Sequence, residues 1–331
     1  MRSQLRSIIA ATFLAGFSLL ARGADRSPVV PGVKPVDHGA IGAREGPAWH
    51  PDGYLLFTGG GRIMKRDAKG AVSVFREDGS RPNGLLIDPQ GRLIACEEGN
   101  RRLTRTETNG SMTVLADNYH GARFNSPNDV ALDSKGRIYF TDPRYGNRDN
   151  MEIRDEQRRL VEGVYRIDAP GLVNRVLAHE VDRPNGILVS PDDKYLYIAD
   201  NNNNTVGGAR KLWRFDLRAG GSVKPESRKL IFDWKDARGP DGMKMDRQGR
   251  LYVAAGLNSP NPPYETADKL RGGIYILSPD GKLIDFVSIP DDEVCNCAFG
   301  GEDLKTLFIT AGGHLWTLRM DTPGQVAFTG R

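Results

Sequence analysis

The chain is poor in cysteine: its 331 residues carry only Cys96, Cys295 and Cys297. A secreted scaffold held by disulfides would need more, in even number. No CxxC pair and no Cys/His cluster has zinc-site spacing. Cys295 and Cys297 are two apart, which points both the same way in a strand but strains a bridge between them. All three are read as small core residues. Charge of one sign is also lacking. Against 46 Lys and Arg stand 42 Asp and Glu, a formal net charge of +4, too small at this length to argue for a nucleic-acid partner. There is no GxSxG elbow, no HExxH, no P-loop and no dinucleotide fingerprint in a βαβ setting. Serine hydrolase, zinc protease and nucleotide enzyme therefore lose support. Long helical periodicity is scarce.

What the chain does have is turn residues, 39 Gly and 20 Pro. Its 39% hydrophobic content excludes wholesale disorder. Residues 1–23 have a basic start at Arg2 and Arg6, an apolar run from Ser7 to Ala21, and small residues at Ala21 and Gly23. This is the pattern of a secretory signal. The run falls short of the ~20 residues a membrane anchor needs. The expectation is a protein secreted or delivered to a periplasm, with no membrane partner after cleavage and residues 24–331 forming one domain.

One phrase recurs six times: a Pro-polar-Gly turn, an alternating apolar segment, a second Gly turn, then an aromatic or β-branched run. It begins at Glu45 (EGPAWHPDGYLLFT), Arg81 (RPNGLLIDPQGRLIAC), Ser126 (SPNDVALDSKGRIYFT), Arg183 (RPNGILVSPDDKYLYIAD), Gly239 (GPDGMKMDRQGRLYVAAG) and Cys295 (CNCAFGGEDLKTLFITAG). A repeat of roughly 40 to 60 residues marks a solenoid or propeller. Period-two alternation bounded by Gly, Pro, Asn and Asp makes the repeats strands. Two to four strand-like runs per interval fit four-stranded blades. The predicted fold is all-β, a six-bladed β-propeller. The Pro-rich stretch before Val36 wraps the outside or helps close the ring. Two polar stretches, Arg144 to Leu160 and Asn201 to Gly208, break the pattern and read as surface connectors or as a rim over a site.

Aligning the opening turns sets six residues around the axis: Glu45, Asn83, Asn128, Asn185, Asp241 and Asn296. The alignment of Glu45 is looser by a residue or two. That ring offers two carboxylates and four carboxamides, with no thiol and no base, which is a donor set for a hard cation. Calcium takes six to eight oxygens from carboxylates, amide carbonyls and water, whereas zinc prefers His and Cys. A single Pro-Asn-Gly is also ordinary turn chemistry, but turn chemistry does not explain Glu45 or the mixture of acid with amide.

The phrases Glu45-Gly-Pro, NSPNDVALDSKGRIYFTDPRYG from Asn125, RPNGILVSPD, GPDGMKMDRQGRLYVA and CNCAFGGEDLKTLFIT together resemble the SMP-30/gluconolactonase/LRE-like family, most closely its secreted bacterial gluconolactonases. The resemblance implies a divalent metal in the central channel, usually Ca2+, with Zn2+, Mg2+ and Mn2+ as alternatives. Its implied ligands are Glu45, Asn185 and Asp241, with Asn128 as a fourth ligand or substrate contact. It implies hydrolysis of a small-molecule sugar lactone. Asn83 and Asn296 become pocket or supporting groups. The regucalcin branch has an Arg two residues before the position of Asn128; here that residue is Ser126, with Arg123 nearby as a substitute substrate contact. His314, in AGGHLW, is a further substrate-site candidate. Asp241 is expected to orient or deprotonate the attacking water, or to attack the carbonyl itself. Two other readings compete: a promiscuous esterase or phosphotriesterase on the same fold, and a non-catalytic binding propeller with a structural calcium.

Overall fold

The computed structural model describes residues 26–77 and 80–327. The expected signal at 1–23 lies outside the described residues. The described residues contain no helix. The six phrases fold into six four-stranded antiparallel sheets, the first five laid down in sequence order from the axis outward. The innermost strands are Glu45–His50, Pro82–Ile87, Val130–Leu132, Pro184–Val189, Met243–Met245 and Val294–Gly300. We number the blades one to six in that order. Inner strands of successive blades touch all the way round, and that of blade six returns against that of blade one. The predicted six-bladed propeller is the fold.

Blade six is completed from the other end of the chain. Val36 and Asp37 pair with Thr317 and Trp316 as its outermost strand, and Val29 bridges Met320. The stretch up to Asp37 thus closes the ring and covers the outer edge of His314–Arg319. Trp49 of blade one stacks on Phe308 of blade six, ring centroids 5.5 Å apart, across the seam.

The blades pack face to face, so a second strand is covered on both sides. Its sequence is accordingly a continuous apolar run rather than an alternation. Leu93–Glu97, Ile138–Asp142 and Leu251–Ala255 are buried at every residue. Each large apolar side chain sealed this way contributes about 1.5–3 kcal/mol. The outermost strand of blade one, Val72–Arg76, has one face in solvent and is exposed over most of its length.

At the far end of the inner strands the chain reverses through a repeated Asp-x-x-Gly-Arg unit. Oδ1 of Asp88, Asp133 and Asp246 accepts the backbone N–H groups two and four residues on, at 2.9–3.0 Å. Oδ2 accepts Nε of Arg92, Arg137 and Arg250 at 2.6, 2.5 and 2.7 Å. The intervening glycines have φ near +80°, which only glycine adopts at no steric cost. These turns satisfy every charge they introduce.

Candidate metal centre

The opposite end of the inner strands is built differently. Each first strand carries two residues against one of the second strand, a β-bulge that re-aims the extra side chain. The pairing jumps from Pro82 to Leu85, from Pro184 to Ile187 and from Val294 to Asn296. The residues facing the bulges are Cys96, Ala199 and Thr310, which fall at one position of the six second-strand sequences, with Thr58, Thr141 and Ala254. Opposite the first five stand Glu45, Asn83, Asn128, Asn185 and Asp241. Five of the six ring residues are as the sequence reading has them, and Glu45 needs no offset. At the sixth the bulge presents two residues: Asn296 pairs with Thr310, and Cys295 is the extra residue beside it.

Contacts between blades confirm the register. Gly84 N–H donates to the carbonyl of Asn128 at 2.7 Å, and Gly242 N–H to that of Cys295 at 2.8 Å. A Cβ on Gly46, Gly84 or Gly186 would stand 2.2, 2.5 or 2.1 Å from the carbonyl oxygen of Asn83, Asn128 or Asp241. Where a glycine follows the ring residue, as in blades one, two, four and five, it is what lets the next ring residue approach. Asn296 sits where four other blades have this glycine and blade three has Asp129. Its carboxamide fills the space left by Gly242, where a Cβ would lie 2.0 Å from Asn296 Cγ. Nδ2 of Asn296 donates to Glu45 Oε2 at 3.2 Å, and its Oδ1 accepts the Cys297 N–H at 2.9 Å. Buried and doubly engaged, Asn296 orients Glu45.

Carboxylate oxygens of Glu45 and Asp241 and the Cys295 sulfur lie within 4.8 Å of one another. Both carboxyls border the channel. Burial pushes Glu45 up to about 7; the Asn296 hydrogen bond opposes this, and the charges of Asp129 and Glu293 add to it. Burial, then the charge of Glu45, then that of Glu293 hold Asp241 well above the ordinary carboxylate range, against the pull of Arg238. Arg238 is itself committed, with Nε and Nη2 on Glu265 at 2.6 and 2.8 Å and Nη1 on Glu293 at 2.7 Å. The two carboxyls are brought together without a cation of their own.

Asn185 is 4% exposed. Its Nδ2 donates to the Tyr145 phenol oxygen at 3.0 Å, while its Oδ1 has no hydrogen-bond partner. An orphaned buried carbonyl costs about 1–3 kcal/mol unless something binds it. Two carboxylates with no counter-cation and one free amide oxygen fit a divalent cation. The residues placed to hold it are Glu45, Asn185 and Asp241, with Asn128 and Asn83 at equivalent ring positions.

Tyr145 is a residue the sequence reading passed over. It comes from the 144–160 stretch, so that stretch carries a rim residue to the ring. Its hydroxyl donates to the Asn201 carbonyl at 3.0 Å, and Arg183 covers its ring, 5.3 Å from the centroid. The rest of the stretch is stapled down. Glu152 accepts Arg101 Nη1 at 3.0 Å and the Arg123 N–H at 2.9 Å, and Ile153 is core.

The remaining candidates have partners of their own. Arg123 is exposed on a two-stranded hairpin with Asn118 and Tyr119, its Nη2 3.5 Å from the Asn100 carbonyl. His314 starts the third strand of blade six, where Nδ1 faces both Asp37 carboxylate oxygens at 3.1 Å and Asp291 Oδ2 at 3.6 Å. Among the described residues, no hydrogen bond or ion pair links either side chain to Glu45, Asn185 or Asp241. Cys96 and Cys297 are core residues as expected; Cys295 is not. A cavity of about 710 Å³ opens between blades four and five beside Asp182, Arg210 and Tyr264, and no ring residue lines it.

Comparison with known proteins covers the same region. Residues 43–313 match the SMP-30/gluconolactonase/LRE-like region model. A gluconolactonase of Zymomonas mobilis is 34% identical over 307 residues, 85% of this chain and 79% of that protein. A 6-deoxy-6-sulfogluconolactonase of Pseudomonas putida is 28% identical, covering 81% and 82% of the two chains. Among solved structures, a gluconolactonase from Xanthomonas campestris superposes with a TM-score of 0.71 at 28% identity, over 88% of this chain and 91% of that one.

Proposed function

Because the chain belongs to the SMP-30/gluconolactonase/LRE-like family, we propose that it opens a sugar lactone of the glucono-1,5-lactone type at a divalent cation held on the propeller axis. The observation that carries this is the approach of Glu45 and Asp241 with no cation of their own, beside the unpartnered Asn185 Oδ1. Glu45, Asn185 and Asp241, with Asn128, would hold the cation, Ca2+ being the ion their oxygen donors suit. A cation there supplies Lewis-acid polarisation of the lactone carbonyl and stabilises the oxyanion.

The chain's own groups supply the rest. Asp241 takes the proton from the attacking water. As the acyl carbon–ring oxygen bond breaks, the same carboxyl returns that proton to the leaving oxygen, so water adds and nothing else is consumed. Asn296 keeps Glu45 turned to the channel. Tyr145, fixed by Asn201 and Arg183, orients Asn185 so that its carbonyl oxygen stays free. Asn83 and Asn128 offer amides to the sugar hydroxyls.

The test is acid release in a pH-stat from glucono-1,5-lactone, a pentonolactone and a phosphotriester, with purified protein before and after chelation. Rapid lactone opening that chelation abolishes while the fold stays intact supports the reading. Phosphotriester cleavage exceeding lactone opening, or lactone opening in a fully metal-free protein, rejects it.

A further inference from the structure

We propose that Cys295 is a sulfur donor of the axial centre and gives it a preference for thiophilic divalent cations that an all-oxygen ring would lack. This rests on the reading of the ring as a cation site. The register is the first support: Cys295 is the extra residue between the Val294–Ala311 and Asn296–Thr310 pairs, and its carbonyl accepts the Gly242 N–H as that of Asn128 accepts the Gly84 N–H. Distance is the second, since the sulfur is within 4.8 Å of carboxylate oxygens of both Glu45 and Asp241.

Environment separates this thiol from the other two. Cys96 and Cys297 are both 0% exposed and packed among apolar side chains. Cys295 is only partly buried, and its sulfur lies 3.3 Å from the Glu293 carbonyl. Cys297, two residues on, points elsewhere, its sulfur 3.6 Å from the Tyr252 carbonyl. In a regular strand both would face one way. The bulge at Cys295–Asn296 parts them, which also disposes of a bridge between them.

An independent observation marks the same ring as built for a ligand. Asn185, 96% buried by its 4% exposure, leaves Oδ1 unpartnered. Carboxylate and amide oxygens alone suit calcium or magnesium, whereas a thiolate favours zinc, cobalt or cadmium. On binding such a cation the Cys295 S–H bond gives its proton to solvent as the sulfur–metal bond forms. The excess negative charge is moderated by Arg238, paired to Glu293 beside the ring.

The experiment uses the whole protein, stripped with chelator and titrated with Co2+. The expected result is a near-ultraviolet sulfur-to-cobalt charge-transfer band that saturates at one equivalent and is missing in Cys295→Ser and Cys295→Ala. Competition of Cd2+ against Ca2+ gives a second readout. Losing even a supporting group around a metal costs about 10- to 100-fold in affinity, so cadmium affinity should fall at least that far in Cys295→Ser while calcium affinity stays. Far-ultraviolet circular dichroism verifies that each variant is folded. Cobalt binding that Glu45→Gln abolishes but that shows no band overturns the sulfur donor and leaves the cation centre standing. A band that persists in Cys295→Ser also overturns it. If no cobalt binds at all, both readings fall.

Discussion

The two ends of the inner strands use the same residue types to opposite effect. At one end Asp88, Asp133 and Asp246 each close on an arginine four residues away and on two backbone N–H groups. At the other end Glu45 and Asp241 have no arginine of their own and stand together, raised by burial and by negative neighbours. Turn residues that satisfy themselves locally hold blades. Turn residues left unsatisfied, and collected from separate blades, hold something else. The contrast places function by the absence of partners rather than by the presence of any one side chain.

The sharpest break of that contrast is at the unsatisfied end. Asp241→Asn should lower lactone kcat/KM by on the order of 10³-fold with little change in melting temperature, since no local ion pair is lost; steady-state rates and a melting curve check it. The mirror case is Arg250→Ala. Arg250 and Asp246 side chains are 2% and 0% exposed, so the substitution strands a buried carboxylate at about 3 kcal/mol. Denaturant titration should show that loss, while activity per folded molecule is unchanged.

Between these extremes lies Gly186→Ala, whose Cβ would be 2.1 Å from the Asp241 carbonyl. Backbone must move, at about 1–3 kcal/mol, and both stability and metal affinity should drop together. Tyr145→Phe removes the acceptor for Asn185 Nδ2 and the donor to the Asn201 carbonyl; metal affinity should fall about ten-fold, read by calorimetry, with the fold intact.

The smallest effect concerns Asp142, which ties down the approach to Asn128 by accepting the N–H groups of Asn125 and Ser126 at 2.8 and 2.7 Å. Burial raises its carboxyl from 3.8 to about 7. The folded state therefore holds this proton more tightly than the unfolded chain. Its contribution to stability is complete below about pH 4 and is lost as pH rises through about 7. Asp142→Asn should flatten that part of the stability–pH curve by a few degrees of melting temperature; identical slopes would contradict it.

Much of this was legible in the sequence because a propeller repeats its turns as well as its strands. The six phrases predicted six blades, and Glu45, Asn83, Asn128, Asn185 and Asp241 fell at one register. Cys295 was missed for a physical reason. Alignment by side-chain chemistry favours the carboxamide of Asn296 over a thiol, whereas the bulge makes Cys295 the extra residue before the Asn296–Thr310 pair and gives its carbonyl the inter-blade contact with Gly242. Aligning TLFITA with IYFTD and LYVAA would have found it. Tyr145 could not be placed, because a side chain from an irregular stretch carries no register. Arg123 and His314 were chosen by nearness in sequence or by analogy, and their partners in the fold are Asn100 and Glu152 for the one, Asp37 and Asp291 for the other.

The account turns on one cation held where Glu45, Asn185 and Asp241 converge. The direct measurement is to return divalent metal stepwise to chelated protein, determining bound metal and glucono-1,5-lactone hydrolysis in the same samples. The account predicts activity that climbs in proportion to bound metal and levels off at one equivalent. Full activity in folded protein that contains no metal would contradict it.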